Sequence, residues 1–128
     1  MARTDAQSLL AAEASPAAQE LLRCLRPLGA RVALATSAEE ALRALRREVF
    51  RRAVVAIEIA LDGEPLLARL SRLSSLECLV AIGPGGDAAA EGAARVAGAQ
   101  AYLARPVTTG LLSRALGLPW PGRAARPP

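Results

Sequence analysis

Ala53-Val54-Val55-Ala56-Ile57-Glu58-Ile59 is the stretch that decides the fold, and the turn residues Asp62-Gly63 follow it closely. A continuous apolar run of this length is typical of a parallel strand that is covered on both faces of its sheet. A carboxylate at the carboxyl end of such a strand lies where open α/β sheets place their functional crevice. Residues 53–59 are therefore predicted to form a buried strand that presents Glu58 either at a functional site or simply to solvent.

The rest of the chain alternates strand-like and helix-like segments around this strand. Five such strand–helix repeats indicate a parallel sheet with helices on both faces and right-handed crossovers. The predicted fold class is α/β, a single doubly wound, flavodoxin-like (βα)5 sheet with strand order 2-1-3-4-5. The predicted strands are residues 8–13, 31–35, 53–59, 78–82 and 101–104. The predicted helices are the segment that begins at Ser15-Pro16, residues 38–52, 64–73, the alanine-rich segment after Asp87, and 107–116.

Capping residues and apolar spacing support these helices. Ser15 is predicted as an N-cap with Pro16 at the first helical position, and Ser37 with Glu40 is predicted to form a capping box. Apolar residues at helical spacing predict the buried stripes. The predicted inward residues are Leu21, Leu22, Leu25, Leu28, Leu42, Leu45, Val49, Leu66, Leu67, Leu70, Leu73, Leu111, Leu112 and Leu116.

The 128 residues are predicted to form one domain with two flanking segments, because this is the commonest size of a single domain. Residues 1–6 are a short polar leader, residues 7–117 are the domain, and residues 118–128 are an extended or flexible tail rich in proline and arginine. No apolar stretch approaches the roughly 20 residues that a membrane span needs, and residues 1–8 do not resemble a signal peptide. We therefore expect a cytoplasmic protein without a membrane partner.

Composition excludes several classes of function. All 16 basic residues are arginine, histidine is absent, and the formal net charge is +4. The chain has one Trp, one Tyr and one Phe, too few aromatic side chains to stack on nucleic-acid bases. Arginines at helical spacing usually form a solvated face. We therefore expect no nucleic-acid partner. Without histidine or a CxxC pair the chain cannot form a zinc site, and without histidine it cannot form a Ser-His hydrolase site. Cys24 and Cys78 are predicted to be buried free thiols.

Four stretches together resemble a bacterial response-regulator receiver domain over about residues 8–116. They are Leu9-Leu10-Ala11-Ala12-Glu13-Ala14-Ser15-Pro16, Ala35-Thr36-Ser37-Ala38-Glu39-Glu40-Ala41-Leu42, residues 54–63, and Gly98-Ala99-Gln100-Ala101-Tyr102-Leu103-Ala104-Arg105-Pro106-Val107. The last is the most specific, because its tyrosine, basic residue and proline keep the spacing of the family.

The resemblance implies a particular chemistry to look for. A receiver accepts a phosphoryl group on an aspartate at the end of strand three and holds Mg²⁺ with two acids after strand one. A Thr or Ser after strand four and a Lys after strand five bind the phosphoryl oxygens. In this sequence Glu58 matches the phosphoacceptor aspartate, and Glu13 and Ala14 match the two metal-binding acids. Gly83 matches the Thr or Ser, and Arg105 matches the Lys. The resemblance also implies a cis peptide bond before Pro106 and assigns Tyr102 to the switch aromatic.

Each residue that phosphotransfer requires has therefore changed. The carboxylate of Glu58 is one methylene longer than that of aspartate, and small displacements of a reacting group are costly. Ala14 removes a ligand from a metal that demands near-ideal octahedral oxygen coordination, and Gly83 has no hydroxyl. The prediction is a degenerate pseudo-receiver that is not an enzyme, with no cofactor and with Mg²⁺ binding lost or weak.

Arg105 offers a replacement for the missing metal. Two nearby carboxylates, here Glu13 and Glu58, repel each other unless a cation lies between them, and a guanidinium can bind both. Three interpretations stay open: Glu58 mimics a phosphorylated aspartate and fixes one signalling state, the pocket is a neutral scaffold, or it retains weak ligand or metal binding.

The resemblance implies a protein–protein interaction module in a bacterial two-component-type pathway, independent of phosphorylation. Its predicted partner face is formed by helix four, strand five and helix five, and a homodimer is a further option. One alternative is a working phosphoacceptor that uses Glu58 or Asp62. Another is an anion- or nucleotide-binding flavodoxin-like protein that uses the loop Gly83-Pro84-Gly85-Gly86. The predicted partner-face residues are Arg95, Gln100, Tyr102 and Arg114.

Overall fold

A computed structural model of the chain describes residues 3–4 and 8–120. Its centre is a five-stranded parallel sheet in the spatial order β2-β1-β3-β4-β5, which confirms the predicted fold class and strand order. The strands are β1 (Ser8–Ala12), β2 (Arg31–Ala35), β3 (Arg52–Ala56), β4 (Cys78–Gly83) and β5 (Ala101–Ala104).

Five helices cover both faces of this sheet. They are α1 (Ala17–Leu25), α2 (Ala38–Arg47), α3 (Leu66–Leu70), α4 (Ala88–Val96) and α5 (Thr109–Leu116), and a 3-10 turn at Arg26–Leu28 follows α1. Side chains of α2, α3 and α4 pack with one face of the sheet, and those of α1 and α5 pack with the other. The central strands β1 and β3 are buried throughout or nearly so, because helices cover them on both sides.

The third strand is shorter than predicted. It ends at Ala56, and Ile57 and Glu58 form a turn beyond it, so Glu58 lies above the sheet edge rather than within the strand. Two-residue strands then pair antiparallel, Ala60–Leu61 with Glu64–Pro65, in a segment where a helix was predicted to begin. The loop after the strand is thus built as a small hairpin with Asp62 at its tip, which has the left-handed φ of 52°.

Two helices end earlier than predicted, which moves two apolar residues, and a third apolar residue is more exposed than predicted. Helix α2 stops at Arg47, and Val49 pairs with Thr4 of the leader in a two-residue parallel strand. Helix α3 stops at Leu70, so Leu73 leaves the buried stripe and is 38% exposed. Leu111 is 41% exposed, since the inward stripe of α5 runs through Leu112 and Leu116, one turn apart.

Side-chain caps begin three of the five helices, at Ser37, Asp87 and Thr108, whereas one predicted cap is wrong. Ser37 Oγ accepts a hydrogen bond from the backbone N–H of Glu40, but the Glu40 carboxylate returns to Thr36 rather than to Ser37. Asp87 caps α4 through the N–H of Ala90, and Thr108 caps α5, which therefore begins at Thr109 and not at 107. The predicted cap at Ser15 is wrong: Pro16 itself flanks α1, without a side-chain cap.

The packed domain extends past the predicted boundary at 117. Leu118 is buried and Trp120 packs on the same cluster as α1 and α5, so residues 118–120 belong to the domain rather than to the tail. Residues 121–128, and the other leader residues, lie outside the described part of the chain.

Cys24 and Cys78 are free and only half-buried. No helix in the described ranges is long and apolar enough to cross a membrane.

Candidate functional site

The carboxyl ends of three parallel strands bring three charged residues together. Glu13 follows β1 directly, Glu58 lies two residues beyond β3, and Arg105 follows β5 directly. In a parallel sheet these ends share one edge, and β1 and β3 are neighbours in the sheet. The site is therefore a consequence of the strand order, although its members are up to 92 residues apart in sequence.

Arg105 holds the buried carboxylate of Glu13. Glu13 is 5% exposed, and its Oε2 accepts hydrogen bonds from Arg105 Nε at 3.2 Å and from Nη2 at 3.0 Å. Glu13 Oε1 also accepts from the backbone N–H of Ala14 at 2.9 Å. A buried carboxylate is tolerated when charge and hydrogen bonds compensate its lost hydration, and Arg105 with Ala14 N supplies both.

The same guanidinium binds Glu58 from the solvent side. Arg105 Nη1 donates to Glu58 Oε2 at 2.9 Å, and Nη2 donates to Oε1 at 2.7 Å, which is a bidentate pair. The hydrogen bonds from Arg105 lower the pKa of Glu58, and the pair raises the pKa of the Arg105 guanidinium. One guanidinium thus binds both carboxylates, the arrangement that the sequence analysis suggested for Arg105.

This arrangement does not fit Mg²⁺. The guanidinium lies between the two carboxylates that would be metal ligands, and Ala14 contributes only an exposed methyl group. In the described residues, no group of three or more His, Cys, Asp and Glu side chains is placed to hold a metal ion. A metal at this edge would need Arg105 to withdraw and would find too few oxygen ligands for octahedral coordination.

Gly83 and Tyr102 form a second feature at this edge. Gly83 is the buried last residue of β4, and Tyr102 lies beside it on β5. A Cβ atom built on Gly83 would lie 2.2 Å from the Tyr102 hydroxyl oxygen and 2.8 Å from its Cζ. Tyr102 donates a hydrogen bond to the Pro84 carbonyl at 2.7 Å. The phenol therefore fills the space that a side chain at position 83 would need.

The Arg105–Pro106 peptide bond is cis, which agrees with the family resemblance. It places Arg105 at the turn between β5 and α5, where the backbone N–H of Arg105 donates to the Gly83 carbonyl at 2.9 Å. The turn thereby ties the cation to the end of β4.

The four predicted partner-face residues have different surroundings. Arg114 is exposed on α5, and Arg95 is exposed on α4, where it pairs with Glu91 one turn earlier at 3.1 Å. The Gln100 carbonyl oxygen accepts from the backbone N–H of Leu79 at 3.1 Å, so this side chain serves the link between β4 and β5. Tyr102 is half-buried over Gly83. The structure brings Tyr102 and Arg105 to one edge, and leaves Arg95 and Arg114 on the helices.

Sequence reasoning missed the contact between Tyr102 and Gly83, although each residue was singled out. The signal was present in the chain, since a glycine at the end of a buried strand often marks the close approach of another group. It also missed an apolar cleft of about 360 Å³ beside Arg105, lined by Ala17, Leu21, Ile82, Pro106 and Val107 with Glu13 and Glu20. Side chains from three separate elements form this cleft, and periodicity along one element cannot predict it.

Comparisons with solved structures find the same fold. A receiver-domain protein from Clostridium thermocellum superposes with a TM-score of 0.73 at 24% identity, over 86% of this chain and 90% of that one. A putative response regulator from Chloroflexus aurantiacus gives 0.71 at 26% identity, over 86% and 97%. A response regulator from Burkholderia pseudomallei, solved with a phosphorylated aspartic acid, a calcium ion and citrate, gives 0.68 at 25%, over 85% and 65%. No protein-family model and no curated protein sequence matches the chain. The chain therefore has the fold of the response-regulator receiver domains.

Proposed function

We propose that this chain is a phosphorylation-independent receiver module that binds a protein partner in a bacterial two-component-type pathway. The observation that carries the proposal is the bridge from Arg105 to both Glu13 and Glu58. It puts one guanidinium between two carboxylates at the carboxyl edge of the sheet. The module needs neither a cofactor nor catalysis of its own.

The Burkholderia relative offers a comparison for the charges of this bridge. Its structure contains a phosphorylated aspartic acid and a calcium ion, that is, an anion on an acidic side chain and a separate cation. In this chain Glu58 supplies an anion at a longer reach than aspartate, and Arg105 supplies the cation. We propose that the pair reproduces part of that charge arrangement without phosphorylation, and so holds the domain in one signalling state.

The partner is proposed to bind the surface of α4, β5 and α5. Tyr102 connects this surface to the charged edge, because its ring lies over Gly83 and its hydroxyl binds the Pro84 carbonyl. Arg95 and Arg114 are exposed on the two helices, and Val96 on α4 is 90% exposed. An exposed valine beside arginines suits a partner with an apolar anchor and acidic groups, and a second copy of the chain is the alternative occupant.

Two other functions remain candidates with a weaker basis. A phosphoacceptor role is supported by the exposure of Glu58, whose side chain is 54% exposed and open to a small donor. An anion-binding role for residues 83–86 is opposed by Asp87, whose carboxylate already caps the N-terminus of α4. We therefore rank the interaction module first.

The proposal is tested by capturing the partner with the wild-type chain and comparing variants. We expect Glu58→Gln, which removes the charge and keeps the shape, to weaken partner binding while the fold persists. Glu58→Asp should not restore phosphorylation, because Ala14 and Gly83 still lack the necessary groups. Unchanged affinity for Glu58→Gln, together with a loss for variants of Arg95, Tyr102 or Arg114, would leave the surface as the whole function and remove the charge-mimic explanation.

A further inference from the structure

Strand β2 is one edge of the sheet, and β5 is the other. The Ala35 carbonyl faces β1, where it accepts a hydrogen bond from the backbone N–H of Glu13 at 3.0 Å. Because successive residues of a strand direct their backbone groups to opposite sides, the N–H and C=O groups of Val32 and Leu34 point away from β1. In the described part of the chain no other strand pairs with this side of β2. Edge groups of this kind can pair with another extended segment.

Helix α2 forms a groove with this edge of the sheet, and the volume of the groove is about 260 Å³. Its lining residues are Ala33, Leu34, Glu40, Arg43, Ala44 and Arg47. The four residues from α2 recur at intervals of three and four, so they share one face of the helix. The apolar residues Val32, Ala33 and Leu34 of β2 are only half-buried. The groove therefore combines outward backbone groups, partly exposed apolar side chains and charged side chains.

Arg43 and Arg47 give the groove a positive charge. Both are exposed, and neither forms a salt bridge with any residue that the structure describes. They lie one helical turn apart, which is about 6 Å along the helix axis. Alternate residues of an extended segment are about 6.6 Å apart and point to the same side. Acidic residues at alternate positions of such a segment therefore match the spacing of the two arginines.

The acidic residues that could neutralise these arginines are already engaged. Glu40 Oε1 accepts hydrogen bonds from the backbone N–H of Thr36 at 2.6 Å and from Thr36 Oγ1 at 2.8 Å, and these bonds lower the pKa of Glu40. Glu48 binds Arg31 and accepts from Ser8 Oγ at 3.2 Å, at the beginning of β2. The groove thus presents two guanidinium groups against one carboxylate that is held by its own hydrogen bonds.

Charge decides between the possible occupants of this edge. A second copy that paired its own β2 here would bring two sets of Arg43 and Arg47 together, and like charges across a strand pair are destabilising. A second copy that offered its β5 edge would bring Asp87 and Glu91, which are already bound to the N–H of Ala90 and to Arg95. An acidic segment from another protein meets neither obstacle, and guanidinium groups bind carboxylates well.

We propose that β2 receives an acidic extended segment of a partner protein, which adds to the sheet as a sixth strand while Arg43 and Arg47 bind its carboxylates. Its acidic residues alternate with apolar ones, because its other side continues the face on which Val32 and Leu34 pack with the cluster of α1. The site lies at the opposite edge of the sheet from β5. It is therefore a second interaction surface, and it does not depend on the bridge at Arg105.

The experiment titrates the full chain, labelled with nitrogen-15, with the capped peptide Glu-Val-Glu-Val-Glu at low salt. We expect the amide signals of Val32 and Leu34 to shift and their hydrogen exchange to slow, while the signals of β5 stay in place. Arg43→Gln/Arg47→Gln should weaken the affinity about ten-fold, as the loss of two exposed ion pairs implies. The matched control is Arg26→Gln/Arg46→Gln, which makes the same charge change at exposed positions outside the groove and should leave the affinity nearly unchanged.

A second probe separates strand pairing from attraction between charges. The same peptide with every backbone nitrogen methylated keeps its carboxylates and cannot donate to β2, so we expect it not to slow the exchange of Val32 and Leu34. Equal binding of the two peptides would overturn the proposal, and so would unchanged signals of Val32 and Leu34 with the first peptide.

Two further results would assign the edge to another occupant and would also overturn the proposal. A short DNA duplex that shifted the same signals, with the same loss in Arg43→Gln/Arg47→Gln, would assign the arginines to nucleic acid. Protection of Val32 and Leu34 that rose with protein concentration in the absence of peptide would assign the edge to a second copy.

Discussion

The corner formed by Glu13, Glu58 and Arg105 and the corner formed by Gly83 and Tyr102 lie at the same edge of the sheet, and they are filled by different physical means. In the first, a guanidinium takes the place between two carboxylates, and the contact is ionic. In the second, a phenol takes the volume that a glycine leaves empty, and the contact is steric with one hydrogen bond. In both corners the filling side chain comes from β5 or the residue after it.

The stability of the two corners therefore responds to different changes. The ionic corner responds to charge and pH, because hydrogen bonds from Arg105 lower the pKa of Glu58, whose carboxylate must stay deprotonated to keep its ionic contact with the guanidinium. The steric corner responds to side-chain volume, and it does so equally at any pH at which the domain is folded. Substitutions can therefore be chosen that remove the contacts of one corner and leave those of the other unchanged.

Removing the guanidinium should have the largest effect. We expect Arg105→Ala to destabilise the domain by about 3 kcal/mol, because it leaves the buried Glu13 without a counter-ion and exposes it to repulsion from Glu58. Urea unfolding monitored by Trp120 fluorescence measures the loss. The control is Arg69→Ala, whose surface pair with Glu64 should contribute less than about 1 kcal/mol. Equal losses for the two variants would show that the bridge has no special role.

Adding a methyl group at Gly83 should have the next largest effect. We expect Gly83→Ala to displace the Tyr102 ring and to cost about 1–2 kcal/mol, since the hydrogen bond to Pro84 is lost with the packing. In a Tyr102→Ala background the same change should cost much less, which a double-mutant cycle measures.

A matched glycine tests whether this cost is steric. Gly92 lies within α4, and among the described residues none comes within 4 Å of a Cβ atom built there, so Gly92→Ala should stabilise the domain by up to about 1 kcal/mol. If Gly83→Ala also stabilised the domain, or left the Tyr102 ring in place, the steric explanation of this corner would be wrong.

The smallest effect is expected from neutralising Glu58. Because its pKa is lowered in the folded state, its contribution to stability should be fully present above the unfolded-state value of about 4.3 and should disappear as the pH falls through the folded-state pKa. The side chain is more than half exposed, so Glu58→Gln should cost no more than about 1 kcal/mol near neutral pH.

Acid unfolding of the wild type and of Glu58→Gln, measured side by side, tests this pH dependence. The two stability curves should converge at low pH. Glu77→Gln, which breaks an exposed pair with Arg51, is the control and should follow the wild type more closely. A gap between wild type and Glu58→Gln that widened toward low pH would have the wrong sign for this account.

The sequence predicted the parts of the molecule that depend on short-range pattern. Alternating apolar segments were sufficient for the sheet order, and capping residues such as Ser37 and Asp87 marked two helix starts correctly. The ends of α2 and α3 were predicted too late because the apolar spacing continues through Val49 and Leu73 after the helices have stopped. Val49 pairs with Thr4 in a short strand and Leu73 lies between two turns, and helical periodicity predicts neither.

The site was predicted as far as strand order and charge determine it. Glu13, Glu58 and Arg105 had to meet because each ends a parallel strand of one sheet, and opposite charges at that edge favour a bridge. The contact between Tyr102 and Gly83 depends on a side-chain rotamer across two strands, and the cleft beside Val107 depends on three separate elements. Gly83 alone indicates a close approach without identifying the approaching residue, and the cleft has no signature in a single segment of sequence.

The central claim is that the bridged corner works without phosphorylation, and intact-mass spectrometry tests it most directly. The chain is incubated with a small phosphodonor in the presence and in the absence of millimolar Mg²⁺, beside a receiver domain that retains its aspartate. The account predicts that the control gains the mass of one phosphoryl group and that this chain gains none under either condition. A stoichiometric phosphoryl adduct that requires Mg²⁺ and disappears in Glu58→Gln would contradict it.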